Sequence, residues 1–98
     1  MEVCTEFAVF TVAKEKVARA IELSHLIFSE MNQAKPVITA SEVLQKTDNP
    51  QEICWHLTWI SSAAAKETTQ QWPTFPSTKE FQTLVEKDLY YGHFVNAT

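Results

Sequence analysis

Glycine is nearly absent from this chain, since Gly92 is the only one among 98 residues. Loops that hold phosphate through backbone N–H groups need several glycines within a short stretch. The Rossmann and Walker phosphate loops are therefore excluded, and most nucleotide-dependent enzymes are excluded with them.

Cysteine is also scarce, and Cys4 and Cys54 are the only two. Two cysteines this far apart make neither a disulfide framework nor a zinc site. The three histidines lack the i, i+4 spacing of a helical metal site. We therefore expect free thiols, no disulfide, no metal and no bound cofactor.

Positive charge is sparse, and no long apolar run is present. The eight Lys and Arg residues are scattered from Lys14 to Lys87, and the formal net charge is −4. This argues against nucleic acid or an anionic membrane as a partner. No apolar stretch approaches the ~18 residues of a membrane span, and the acidic start from Met1 to Glu6 is not typical of a signal peptide. We expect a cytoplasmic protein.

The length and composition are those of one globular domain covering residues 1–98, with 45 % hydrophobic and 20 % charged residues. A domain of this size buries only about 60–65 % of its unfolded surface, so a dimer interface would stabilise it. We expect a homodimer.

Apolar patterning predicts the first half of the fold. Residues 3–13 are apolar on both strand faces, which is typical of a central strand, and Phe7 and Phe10 point to opposite faces. Residues 14–34 carry an apolar stripe at helical spacing and precede Pro36. Residues 37–46 and 52–60 read as a hairpin around the Asp-Asn-Pro turn at 48–50.

The second half reads as two helices and a strand. Ser61 or Ser62 can cap a short helix that runs to about Gln71. Ser77 and Glu80 match a capping box ahead of a helix to about Asp88, and residues 89–97 form the last strand. The order βαββαβ predicts an α+β ferredoxin-like domain with a four-stranded antiparallel sheet, in which the first strand lies between the third and the fourth.

Two segments give this chain a likeness to a known family. Trp59–Ala65 (WISSAAA) is a strand-ending tryptophan followed by a small-residue helix start, and Pro76–Phe81 (PSTKEF) opens a second helical segment that closes on an aromatic. With the element order, they make the chain resemble the antibiotic biosynthesis monooxygenase-like family. That resemblance implies a dimeric α+β barrel and a pocket between sheet and helices, and in some members cofactor-free oxidation of polycyclic phenols.

The chain also departs from that family. Members often carry a histidine on the helix that follows the tryptophan, where this chain has residues 66–70 (KETTQ). Haem-degrading members need an asparagine on the first strand, which is missing here, and a histidine where this chain has Thr83, Leu84 and Val85. The resemblance therefore argues against haem degradation.

The candidate catalytic residues are His56 and His93, each near the middle of a strand that flanks the central one. If they share a sheet face they lie roughly 10 Å apart, so a ligand could sit between them with one acting as base. The alternative is that both are hydrogen-bonded sheet residues on opposite faces. Glu6 is the one acid of the first strand, and we expect it near the strand end in water.

The candidate ligand-binding residues are aromatic: Trp55, Trp72, Phe75 and Tyr91. They suit a flat pocket for an aromatic ligand, with indole N–H and phenol groups as donors. For Trp55, as for Trp59, core or dimer interface is the favoured alternative. Two functions stay open: a cofactor-independent monooxygenase acting on an aromatic or quinone-like substrate, and a non-catalytic ligand-binding or structural dimer. A cavity of ~300 Å³ or more with convergent polar groups would favour the enzyme.

Overall fold

The chain forms a sheet with helices on one side. A computed structural model describes residues 2–98. Two 3₁₀ turns, at Lys14–Lys16 and Trp72–Thr74, precede the first and third α-helices. The described residues form β1 Cys4–Val12, α1 Val17–Met31, β2 Ile38–Lys46, β3 Asn49–Trp59, α2 Ser62–Gln70, α3 Thr78–Leu84 and β4 Val85–Phe94.

The strands form one antiparallel sheet in the order β2-β3-β1-β4. The predicted ferredoxin-like α+β fold is therefore confirmed, with β1 between β3 and β4. β1 can hold this central place because both of its faces are largely apolar: Phe10 and Val12 are buried under the helices, while Phe7 and Val9 are half-buried on the other face. We call that second, helix-free side the open face.

The core lies between the sheet and α1. The helix buries a stripe that includes Leu23, Ile27 and Phe28, and alternate residues of β3 from Ile53 to Trp59 face it. Burial of each such side chain contributes about 1.5–3 kcal/mol. The core therefore fixes which face of β1 and β3 carries the helices.

Helix α1 is shorter at both ends than predicted, because a 3₁₀ turn occupies residues 14–16 and Asn32 ends the helix. The Asn32 Oδ1 atom accepts hydrogen bonds from the backbone N–H groups of Val37 (3.0 Å) and Ile38 (2.8 Å). Its Nδ2 atom donates to the Ile38 carbonyl at 3.0 Å. One side chain thereby joins the end of α1 to the start of β2. Among residues 2–98, no helix is long and apolar enough to cross a membrane.

The predicted capping box at Ser77 and Glu80 is wrong. The Ser77 hydroxyl and backbone N–H both donate to the Glu30 carboxylate of α1, at 2.5 and 3.0 Å. Glu80 instead pairs with Arg19, which donates two hydrogen bonds of 2.7 Å to it. Partners on another helix have displaced the local pair that the sequence motif suggests.

The predicted boundary between the last helix and strand is also wrong by about four residues. Helix α3 ends at Leu84, and β4 follows at Val85 without a loop. Because β1 continues to Val12, its backbone groups need a partner there, and Val85 supplies it. Two irregularities in the β1–β4 register accommodate the extra residues, and β4 ends at Phe94 instead of Ala97. Strand β3 likewise begins early, at Asn49, after a turn at Thr47 and Asp48.

Candidate active site

A cavity of about 490 Å³ lies between the sheet and the segment from α2 to α3. This volume suits a small organic ligand. Most of its wall is aromatic, from Phe10, Trp55, Trp72, Phe81 and Tyr91, and the cavity also borders Tyr90, whose side chain, like that of Val9, lies on the open face. The remaining lining residues are Ala8, Val9 and Thr69 and two acids, Glu6 and Asp88.

The Trp55 ring is held in a fixed orientation. Its Nε1–H donates to the Ser24 hydroxyl at 2.8 Å, and that hydroxyl donates to the Ala20 carbonyl at 2.7 Å. The ring centroids of Phe28 and Phe81 lie 4.9 and 5.1 Å from that of Trp55. Such packing and a satisfied N–H leave Trp55 as a rigid wall of the cavity.

A buried carboxylate meets a histidine at the cavity floor. Glu6 is only 3 % exposed, and its Oε1 atom accepts a hydrogen bond from Trp59 Nε1 at 3.2 Å. The same oxygen lies 2.8 Å from His93 Nε2. The Tyr91 hydroxyl lies 3.1 Å from that nitrogen. We call Glu6, His93 and Tyr91 the acid–imidazole cluster.

Burial sets the protonation behaviour of this cluster. Desolvation raises the pKa of Glu6 above its ordinary value, although the hydrogen bond and charge of His93 and the bond from Trp59 oppose the shift. Desolvation, together with the nearby charge of Glu6, raises the pKa of Tyr91 to about 12. Glu6 is thus a stronger base than an exposed glutamate, and Tyr91 remains a neutral hydrogen-bond donor at neutral pH.

Glu6 lies near the start of β1 as expected, but the expectation that it lies in water is wrong. Glu6 pairs with Leu57 on one side and His93 on the other, on the helix-covered face. The sequence does hold a signal for this, because Glu6 has the same strand parity as the buried residues Phe10 and Val12.

The two candidate histidines lie on opposite faces of the sheet, so a ligand cannot sit between them on one face. His56 pairs with Phe7 of β1, whereas His93 pairs with Glu6, and consecutive strand residues point to opposite sides. The His56 ring stacks on Phe7 with centroids 4.8 Å apart, and its Nδ1 atom lies 2.8 Å from Glu42 Oε1. It does not line the cavity.

The predicted aromatic site residues divide between cavity and core. Trp55, Trp72 and Tyr91 line the cavity, whereas Phe75 does not and packs half-buried against the core. Trp59 is fully buried and reaches the site only through its N–H bond to Glu6. The residues that sequence reasoning missed at the cavity include Phe81 and Asp88, which lie near an element boundary that was predicted wrongly.

The open face exposes apolar side chains. Phe94, 47 % exposed, contacts the half-buried Phe7, and Tyr90, 50 % exposed, stacks on Phe94. Leu44, 43 % exposed, lies on the same face on the outer strand β2. Large apolar side chains grouped on one face are typical of a surface that another protein covers.

Metal ligands are not grouped in the described part of the chain, where no three His, Cys, Asp or Glu side chains are arranged to hold an ion. Both cysteines are free thiols: Cys4 pairs with Trp59 at one end of β3, and Cys54 pairs with Val9.

Solved structures share this fold, although no protein-family model and no curated protein sequence matches the chain. A point variant of SnoaB, a cofactor-independent oxygenase from Streptomyces nogalater, superposes with a TM-score of 0.81 at 15 % identity, covering 100 % of this chain and 96 % of that one. A conserved protein from Methanosarcina mazei gives 0.74 at 16 % identity, covering 96 % and 92 %. A protein from Chloroflexus aurantiacus assigned as an antibiotic biosynthesis monooxygenase gives 0.71 at 14 % identity, covering 98 % and 94 %. At these identities the likeness establishes the fold alone.

Proposed function

We propose that this chain is a cofactor-independent monooxygenase, acting as one domain over residues 1–98, that oxidises an aromatic or quinone-like substrate. The observation that carries the proposal is a buried carboxylate, Glu6, which is bonded to His93 and faces an aromatic cavity. A base of raised pKa in a water-poor pocket is the group that deprotonation of a phenol requires. The fold shared with the oxygenase SnoaB supports this choice of reaction.

Glu6 is the proposed catalytic base, because its carboxylate lines the cavity while His93 lies beside it. His93 is a positioning residue that holds the carboxylate and stabilises its charge. Tyr91 also lines the cavity, and its neutral hydroxyl can donate to the substrate oxygen. Trp55, Trp72 and Phe81 hold the ring and exclude water, which keeps the reacting anion next to oxygen.

The reaction replaces a ring C–H, para to a hydroxyl, with a carbonyl. Glu6 takes the hydroxyl proton, and the resulting anion forms a C–O bond with O₂ as two electrons pass from the ring to oxygen. Glu6 then returns the hydroxyl proton to the distal oxygen, which gives a hydroperoxide on the ring carbon. Next, Glu6 removes the hydrogen of that ring carbon as a proton while the O–O bond breaks and hydroxide departs. The hydroxide takes the ring proton from Glu6 and becomes water. A phenol and one O₂ thus give a para-quinone and one water.

The proposed assembly is a homodimer in which two open faces meet. A second copy is the natural occupant because it would cover Phe7, Leu44 and Phe94 with the same apolar side chains. The proposed location is the cytoplasm, where the free thiols Cys4 and Cys54 would stay reduced. Sedimentation at low micromolar concentration tests the dimer, which should have about twice the mass of the 11.2 kDa chain.

The reaction is tested with 1-naphthol as substrate, by an oxygen electrode and by the absorbance of 1,4-naphthoquinone. We expect one O₂ to be consumed for each quinone formed. Metal chelators should not change the rate of the reaction. Glu6→Gln should lose about 100-fold or more in turnover, as is usual when a general base is removed. His56→Ala should keep the wild-type rate because His56 lies on the open face.

The pH profile separates the roles of Glu6 and His93. The rate should rise with pH as Glu6 ionises. His93 lowers the pKa of Glu6, so His93→Ala should move that rise to higher pH rather than abolish it. If Glu6→Gln retains the activity, the proposed base is wrong. If the wild-type protein binds 1-naphthol but consumes no oxygen, the chain is the non-catalytic ligand-binding dimer instead.

A further inference from the structure

The charges that line the cavity are all of one sign. Glu6 and Asp88 are the acids, and no Lys or Arg side chain is among the lining residues. A carboxylate or phosphate on the substrate would therefore enter an aromatic cavity with no counter-ion, and burial of an unpaired anion is costly. The lining thus disfavours anionic substrates.

Asp88 differs from Glu6 in having no partner of its own. Glu6 is bonded to His93 and Trp59, whereas within residues 2–98 no cationic side chain forms an ion pair with Asp88. Asp88 is exposed to solvent, unlike the buried Glu6, so its carboxylate can be reached by a cationic group on a ligand.

The two acids lie at different positions along the cavity. Glu6 pairs with His93, and Asp88 pairs with Phe10, four residues further along β1. At ~3.3 Å per residue the two positions are ~13 Å apart along the strand. A ligand whose hydroxyl reaches Glu6 would therefore present its far end towards Asp88.

Aromatic rings line the cavity in which Glu6 and Asp88 both lie. Trp55, Trp72 and Phe81 line the cavity, and the negative faces of such rings attract an organic ammonium group. Aromatic walls combined with one unpaired carboxylate are the chemistry that recognises a cationic amine.

We propose that the substrate is a hydroxylated aromatic compound that carries a protonated amine at the end remote from the oxidised ring, and that Asp88 selects for this amine. The inference rests on the proposed function, since it places the hydroxyl at Glu6. An ammonium group would also supply the positive charge that the cavity lacks when the substrate becomes an anion.

The test compares the affinities of three naphthols that differ in one substituent, measured without oxygen by calorimetry. They are 6-(aminomethyl)-2-naphthol, 6-methyl-2-naphthol and 6-hydroxy-2-naphthoic acid, which are cationic, neutral and anionic. We expect the cationic probe to bind about tenfold more tightly than the neutral one, since tenfold is 1.4 kcal/mol and lies within the range of cation–π and ion-pair contributions. The anionic probe should bind more weakly than the neutral one.

Asp88→Asn should reduce the preference for the cationic probe to less than about threefold, and added salt should reduce it in the wild type. Asp48→Asn is the matched control, because Asp48 is an exposed acid in the β2–β3 turn, and it should change nothing. If the neutral or anionic probe binds as tightly as the cation, the inference is overturned and the proposed function stands. A cation preference that survives Asp88→Asn overturns the role of Asp88. If none of the three probes binds although 1-naphthol does, the inference fails and the proposed function stands; if 1-naphthol does not bind either, both fail.

Discussion

Replacement of Ser24 by alanine would remove the only hydrogen-bond acceptor that the Trp55 indole has in the described structure. Ser24 is fully buried on α1, and its hydroxyl lies 2.8 Å from Trp55 Nε1. Alanine fits the same space without its oxygen, so the indole N–H would face an apolar core with no partner. The perturbation therefore isolates one hydrogen bond between a helix and the cavity wall.

The magnitude follows from two opposing terms. A buried donor left without an acceptor costs about 1–3 kcal/mol. Alanine recovers about 0.5 kcal/mol through its higher helix propensity. We expect a net loss of about 0.5–2.5 kcal/mol in the free energy of unfolding, out of the 5–15 kcal/mol typical of a domain. Each kcal/mol corresponds to about 4–8 °C in Tm at this size.

Urea unfolding at a fixed protein concentration measures the effect, and Ser29→Ala is the matched control because Ser29 is exposed on the same helix. Trp55→Phe completes a double-mutant cycle, since phenylalanine has no N–H to satisfy. Ser24→Ala should cost clearly less in the Trp55→Phe background than in the wild type. An equal cost in both backgrounds, or a Ser24→Ala variant as stable as Ser29→Ala, would refute the reasoning.

Three further predictions concern buried polar groups. Burial raises the pKa of Glu6, so ionisation of Glu6 lowers the stability of the wild type as pH rises from about 4.5 through that raised value. Because Glu6→Gln cannot ionise, its free energy of unfolding should increase relative to that of the wild type over this pH range. A difference between the two proteins that does not depend on pH would contradict this. Burial also raises the pKa of the Cys4 and Cys54 thiols, so native protein should react slowly with iodoacetamide near neutral pH, whereas two equivalents should react in concentrated urea. Asn32→Ala should cost about 1–3 kcal/mol in urea unfolding because it leaves two backbone N–H groups without an acceptor, and Gln33→Ala, at an exposed neighbour, should cost little.

The sheet could be predicted because alternation along single strands is a local signal. β1 is apolar on both faces, which indicated a central strand, and the element order placed it between the third and fourth strands. The residues at which helices and strands begin and end were harder to predict from the sequence. Ser77 satisfies its hydrogen bonds on Glu30, which is 47 residues away, and no local motif reports such a partner.

The candidate site could be predicted only in part, for a related reason. The aromatic residues Trp55, Trp72 and Tyr91 could be picked out from the composition. The contact between Glu6 and His93, which are 87 residues apart, depends on the register between β1 and β4. A shift of one residue would place His93 on the open face instead. The bulges that adjust the β1–β4 register leave no clear mark in the sequence.

The direct junction of α3 and β4 has a consequence for how this cavity can change in evolution. Phe81, Asp88, Tyr90 and Tyr91 all come from one uninterrupted stretch, whereas the cavity residues of β1 and β3 belong to the central strands of the sheet. Mutation of Phe81 and Asp88 alone can therefore change the wall while Glu6, its partners Tyr91 and His93, and the ring of Trp55 stay in place. Exchange of the whole stretch would replace Tyr91 and His93 together with the wall, so most of the cavity wall and two members of the acid–imidazole cluster are inherited in the same short segment.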